Sequence, residues 1–190
     1  MSLSLINHIR KHIELNDDEI KVLNTFIISV TLKRKEFLLQ GGQICKSIYF
    51  IEKGCVRMYF INNKINEQIT QFAIDNWWIT DYFSFIDNKP SEYYIQAVER
   101  TEIQSINANS FEEIVKKIPQ MERYFRINMQ RALAASQLRV KYMFELSKEE
   151  FYTQFCISFP EFVQRVPQYM IASYLGLTPE YVSELRKKRL

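Results

Sequence analysis

The amino-acid sequence predicts an α+β fold: an N-terminal antiparallel β jelly roll with flanking helices, a long dimerisation helix, and a small C-terminal helix-turn-helix domain. Three observations lead there. Between Val30 and Ile106, short runs rich in Ile, Val, Thr and aromatic residues alternate with turn residues, the texture of an antiparallel barrel or jelly roll. From Gln120 to Leu146 the chain then runs without Gly or Pro. Finally, Gln168–Lys187 spaces a small residue, a glycine and apolar residues as two helices crossing at a tight turn require. The divisions expected are 1–118, 119–146 and 147–190.

Along Leu3–Ile28, the apolar positions Leu5, Ile9, Ile13, Ile20, Leu23 and Ile27 fit two short helices. Asn16 is the candidate cap of the second, with Glu19 three residues on. In the β region, Gly41-Gly42, Lys53-Gly54, Asn62-Asn63 and Asp87-Asn88-Lys89-Pro90 mark turns. Ser47–Ile51 and Val56–Ile61 read as one hairpin, and Asn62-Asn63-Lys64 reverses the chain toward Gln68–Phe72. Three of the four glycines fall in this region. Ser110–Ile118 reads as a helix capped by Asn109 or Ser110 and ended by Pro119.

In the long glycine-free segment, Phe125, Met129, Ala132, Ser136, Val140 and Met143 recur at steps of three and four, close to a heptad seam. A helix of this length covers about 40 Å. It either packs along its own barrel or pairs with a second copy; the pairing is the favoured reading. Ser147-Lys148-Glu149-Glu150 opens a further helix with a capping box, which Pro160 is expected to stop.

Composition excludes several classes. The chain has 190 residues, 47% hydrophobic and 25% charged, enough for a core and unlike a disordered tail. Its most apolar stretches, Phe26–Leu32 and Gln71–Phe85, are too short or too polar for a bilayer span of about 20 residues, so no membrane partner is expected. Met1–Arg10 shows no secretory signal. Cys45, Cys55 and Cys156 lack metal-ligand spacing. His8 and His12 share an i, i+4 face without a third ligand and read as a solvated helix face. No metal, cofactor or disulfide is expected, and the compartment expected is the reducing cytoplasm. No activated nucleophile, phosphate-cradling glycine loop or paired acids appear, so the chain does not read as an enzyme. Residues 1–118 hold 14 basic and 15 acidic residues, net −1, whereas residues 119–190 hold 11 and 7, net +4. Such asymmetry suits a polyanion met by the C-terminal part, or basic residues complementing a last helix dipole.

The residues of Gln168–Lys187 sharpen this. Ala172 is the small crossing residue, Gly176 the left-handed turn, Val182 and Leu185 the inside of the second helix, and Ile171, Leu175 and Leu177 the seal between them. Thr178-Pro179-Glu180 is a strong helix start: hydroxyl cap, proline at the first position, then a carboxylate facing the dipole. An ordinary helical hairpin needs the same small residue and glycine. The run Arg186–Arg189 and the long helix upstream favour a DNA-reading element.

With these residues in view, the chain resembles the Crp/Fnr transcription regulators over nearly its whole length. Ser47–Gly54 and Ile95–Glu102 look like the family's sensor strands, a cyclic-nucleotide-binding-like domain, and Gln168–Lys187 is similar to its DNA-reading element. The resemblance implies a cytoplasmic bacterial homodimer that binds double-stranded DNA at a palindromic operator, with RNA polymerase and an unidentified small-molecule effector as further partners. DNA contacts fall on Thr178, Pro179, Glu180, Ser183, Glu184, Arg186, Lys187 and Lys188. Glu180 matches the family's glutamate that accepts from cytosine. Glu184 stands where relatives often have an arginine for guanine, so the operator should differ there.

Two departures from the family are visible. Cyclic-AMP-binding members use a Phe-Gly-Glu turn and an Arg-Ser/Thr-Ala motif, but Asp75–Tyr94 has neither glycine nor arginine. Its analogue, Ser91-Glu92-Tyr93, sets a carboxylate near the expected phosphate. The sensor domain is therefore expected not to bind cyclic nucleotides. The N-terminal cysteine group of the iron–sulfur-sensing members does not appear either. A β-hairpin wing would follow the recognition helix, but the sequence stops at Leu190, which rests affinity on that helix and the basic tail. Trp77, Trp78, Tyr82 and Tyr94, in a stretch that also holds Phe83 and Phe85, either line a pocket for an apolar or planar effector or fill the core. The alternative function is a ligand- or protein-binding module whose helix-turn-helix no longer reads DNA.

Overall fold

In the computed structural model, which describes residues 3–189, two short helices open the chain, α1 (Leu3–Arg10) and α2 (Asp17–Asn24). The Asn16 side chain accepts from Glu19 N, and the Glu19 carboxylate accepts from Asn16 N, each at 2.9 Å. This reciprocal capping box satisfies two amides that the first turn of a helix leaves without partners.

Eight strands follow: β1 (Ile27–Leu32), β2 (Phe37–Leu39), β3 (Ser47–Lys53), β4 (Cys55–Ile61), β5 (Glu67–Ile74), β6 (Trp78–Ile79), β7 (Tyr93–Ala97) and β8 (Thr101–Asn107), with helix α3 (Tyr82–Asp87) between β6 and β7. They form two four-stranded sheets, ordered β1-β8-β3-β6 and β2-β7-β4-β5. β8 pairs antiparallel with both β1 and β3, setting Ile103 opposite Val30 and Ile51. This is the expected jelly roll, with one correction. Ser47–Ile51 and Val56–Ile61 are not a hairpin, because β3 and β4 lie in different sheets. Gly54 makes that crossing. Its φ is +116°, and a Cβ there would meet Thr101 Cα at 2.7 Å and Arg100 O at 2.8 Å, so only glycine fits. The turn between β4 and β5 is a true reversal, with Asn62 Oδ1 accepting from Lys64 N and Asn66 N.

Alternation along β3 divides the interior into two cores. Tyr49 and Ile51 enter a cluster with Leu39, Val56, Ile95, Ala97 and Ile103, drawn from both sheets. Ile48 and Phe50 face the other way and pack with Leu5, Ile9, Leu23, Ile106, Ile114, Met121 and Tyr124. Ile114 belongs to α4 (Ala108–Lys117), which is capped by Asn107 rather than by Asn109 or Ser110. Met121, Tyr124 and Phe125 belong to α5 (Gln120–Glu145). Its first turns are thus spent on the chain's own core, including Phe125 of the expected seam. Beyond them the helix is uncovered in the single chain: Met129 is 48%, Leu133 61%, Val140 49% and Met143 58% exposed.

The histidines correct a second expectation, because His8 does not lie on a solvated face. Trp78 Nε1 donates to Tyr124 Oη at 2.9 Å, and the same hydroxyl is hydrogen-bonded to His8 Nδ1 at 2.8 Å. Burial, then the charges of Lys11, His12 and Arg131, lower the His8 pKa from 6.5 to about 4. The folded chain therefore keeps His8 neutral where the unfolded chain protonates it. Its contribution is complete above about pH 6.5, is lost as pH falls toward 4, and changes no further below that. After discounting for partial exposure, the loss is roughly 1–2 kcal/mol. Urea unfolding at pH 7.5 and pH 4.5, at fixed protein concentration, should show the wild type losing that much more stability than His8→Gln.

By contact the chain divides into two compact units. Of the described residues, 3–58 and 72–131 form one; 59–71 and 132–189 form the other. No described helix is long and apolar enough to cross a membrane.

Candidate nucleic-acid interface

The second unit is built on aromatic packing. Ser147 and Glu150 close the expected capping box at the start of α6 (Lys148–Ser158). Pro160 does not merely end that helix. It occupies the first turn of an unexpected short helix, α7 (Pro160–Arg165), where proline's fixed φ and missing N–H are harmless. Phe155 lies 5.7 Å from Phe159, 6.1 Å from Phe162 and 5.5 Å from Tyr174 between ring centres. This platform carries α8 (Gln168–Leu175) and α9 (Pro179–Arg189).

The turn between α8 and α9 forms as its residues require. Ala172 is fully buried, as is Val182, and Ile171, Leu175 and Leu185 are buried around them. Gly176 ends α8 at φ +69°, a conformation costing most other residues about 1–2 kcal/mol. Leu177 N donates to Ala172 O at 2.9 Å, satisfying a last-turn carbonyl. Thr178 Oγ1 then accepts from Tyr181 N at 3.2 Å, and Pro179 begins α9.

With Val182 and Leu185 turned inward, the opposite side of α9 is presented outward. Thr178, Pro179, Glu180, Glu184, Arg186, Lys187 and Lys188 are all exposed, and Ser183 is half-buried. Glu180, Ser183, Glu184 and Lys187 recur at helical spacing on one stripe. Among the described residues, none of Glu180, Glu184, Arg186, Lys187 and Lys188 is held in an ion pair. The stripe therefore offers acceptors at its N-terminal end and cations toward its C-terminal end. That order suits base edges followed by phosphates.

The four aromatic residues expected at an effector pocket do not converge. Trp78 packs in the helical core, 5.3 Å from Phe50 and 5.9 Å from Phe125 between ring centres. Tyr94 precedes Ile95, which enters the barrel core, and so points to the opposite face, where its ring lies against Gly41 and Phe37. Trp77 and Tyr82 are more than one-third exposed. Beside them the buried Asp81 accepts from Phe83 N and Ser84 N at the start of α3, and from Ser91 Oγ at 2.6 Å. A carboxylate, with no arginine in this stretch, occupies the interior of the loop. Sequence reading noticed Glu92, which is exposed, and missed Asp81.

Comparison with known proteins supplies the remaining observations. Residues 29–118 match the cyclic nucleotide-binding domain family. The chain is 26% identical over 165 residues to the regulatory protein HlyX of Actinobacillus pleuropneumoniae, covering 81% of this chain and 68% of that one. It is 24% identical over 165 residues to the transcriptional activator protein Anr of Pseudomonas protegens, covering 81% and 67%. The solved structure of FixK2 from Bradyrhizobium japonicum superposes with a TM-score of 0.72 at 16% identity, covering 85% of this chain and 83% of that one.

Proposed function

We infer, because this chain belongs to the Crp/Fnr family of transcription regulators, that it acts as a cytoplasmic homodimer binding a palindromic operator in double-stranded DNA. The observation that carries this reading is the outward stripe of α9 over a buried Val182–Leu185 face. In the major groove, Glu180 accepts from a cytosine amino group, and Glu184 cannot make the bidentate guanine contact of an arginine. Ser183, Thr178 and Pro179 shape the helix's entry into the groove, while Arg186, Lys187 and Lys188 reach phosphates. Two copies related by a twofold axis read two half-sites about one DNA turn apart, and RNA polymerase is the further partner through which a regulator acts.

Two substitutions test the assignment on an operator selected from genomic fragments. Glu180→Ala is expected to relax base preference at one position of each half-site, worth ~1–3 kcal/mol. Lys187→Ala is expected to weaken all sequences about equally and to flatten the salt dependence by about 0.9 log unit per subunit. Fluorescence anisotropy across a salt series reads both. Unchanged binding by both variants removes α9 as the reader.

The sensor barrel on this reading does not take a cyclic nucleotide. The buried Asp81 already engages the amides of α3, and bringing a phosphate beside it without a cation costs several kcal/mol, as an uncompensated buried charge does. Titration calorimetry with cyclic AMP and cyclic GMP is expected to show no specific heat. A micromolar dissociation constant overturns that expectation.

A further inference from the structure

Within the second unit, a strand edge fastens the first helix of the DNA-reading pair. β5 lies at the edge of its sheet, where backbone donors and acceptors need partners. Ser173, on the last turn of α8, supplies them: its hydroxyl accepts from Ile69 N at 3.0 Å and donates to Glu67 O at 2.7 Å. Gln68 Nε2 returns a hydrogen bond to Ser173 O.

Arg139 of α5 completes the joint. One end of its guanidinium donates to Thr70 O on the strand, the other to Tyr174 O on α8 at 2.7 Å. The plane lies 3.9 Å from the centre of the Tyr174 ring. The planar fork reaches the two carbonyls from two separate nitrogens while stacking on the Tyr174 ring, a geometry that the single nitrogen of an ammonium does not reproduce. Arg139 Nε is buried with no hydrogen-bond partner. This cation is thus turned inward, unlike Arg186, Lys187 and Lys188. Tyr174 O is also a last-turn carbonyl that α8 itself cannot satisfy.

We propose that Arg139 and Ser173 are positioning residues for DNA reading: they clamp α8 to the β5 edge and thereby set the attitude of α9. α8 and α9 move as a pair because Ala172, Val182 and Leu185 are packed without exposure to speak of. β5 also continues through Gln71 and Phe72 into Ala73, a member of the barrel core. The proposal rests on the DNA-binding reading given above for its second readout only.

Ser173→Ala and Arg139→Lys test it in the full-length protein, with circular dichroism verifying that each is folded. In the DNA-free protein, hydrogen exchange is expected to accelerate together in the segments 67–71 and 170–177. Operator affinity is expected to fall by roughly tenfold for Arg139→Lys, the loss of one charge-assisted hydrogen bond, with the salt slope unchanged. A direct phosphate contact would give another pattern: Arg139→Lys binding normally and Arg139→Gln with a flattened slope. That pattern overturns the proposal, as does accelerated exchange in one segment alone, or in both with affinity intact. If the wild type binds no operator, the DNA-binding reading fails, and the exchange experiment still decides whether the clamp exists. Should Arg139→Lys fail to fold, Ser173→Ala alone carries both readouts.

Discussion

Replacing Met129 and Val140 together with glutamate is expected to convert the dimer to monomers and to weaken operator binding by at least about 100-fold, the avidity lost when two linked contacts become one. Light scattering should show the mass halved. The reason lies in the uncovered part of α5. Met129, Leu133, Val140 and Met143 stand at steps of four, seven and three residues along one side of the helix, each about half exposed or more. Covering the exposed half of each such side chain contributes roughly 1 kcal/mol, and a helix pair in a 3.5-residue repeat covers all four. Glutamates on such a seam would face their own copies across the twofold axis, burying like charges without partners. Ala134→Glu, exposed and turned away from that stripe, is the control and should leave the mass unchanged. A wild type that is monomeric at micromolar concentration contradicts the assignment of this stripe.

The largest expected effect on stability belongs to Tyr124. It is fully buried, accepts the Trp78 indole hydrogen bond and shares another with His8 Nδ1. Its ring lies 5.3 Å from that of Phe125. Tyr124→Ala removes an aromatic side chain from a closed core, a loss of about 3–5 kcal/mol. In a chain of this size that corresponds to a fall in Tm of roughly 6–20 °C. Tyr124→Phe keeps the ring but leaves the Trp78 N–H and His8 Nδ1 without their partner, costing about 1–3 kcal/mol. Thermal and urea unfolding at one fixed concentration compare the two. A phenylalanine variant as stable as the wild type would mean that water replaces the hydroxyl.

Most of what was legible in the sequence is local chemistry. The Asn16–Glu19 and Ser147–Glu150 boxes, the Gly176 turn and the Thr178–Pro179 start each need only a few neighbouring residues, and all form. What depends on residues far apart was not legible. Nothing in Glu52–Cys55 reveals that β3 and β4 separate into different sheets, since the same turn residues serve a hairpin. Leu133 was missed because Ala132, its neighbour, fits the seam's steps equally well; only the exposed Leu133 side chain distinguishes them. The placement of the aromatic cluster was not legible either, because neighbouring residues in extended chain point to opposite faces, which sends Trp78 inward and leaves Trp77 at the surface. Arg139 and Ser173 carried no signal at all, for their partners lie on β5, about 70 and 105 residues away in the chain.

Whether two copies of this chain read one palindromic site is decided by affinity and stoichiometry measured together. The wild-type protein is titrated against its selected operator and against a scrambled duplex of equal length, at several salt concentrations, with the mass of the complex taken by light scattering. Two chains per operator duplex are expected, with an affinity at least about 10³-fold above the scrambled duplex near physiological salt. Binding is also expected to weaken steeply as salt rises. Equal affinity for the two duplexes, or one chain per operator, would contradict this expectation.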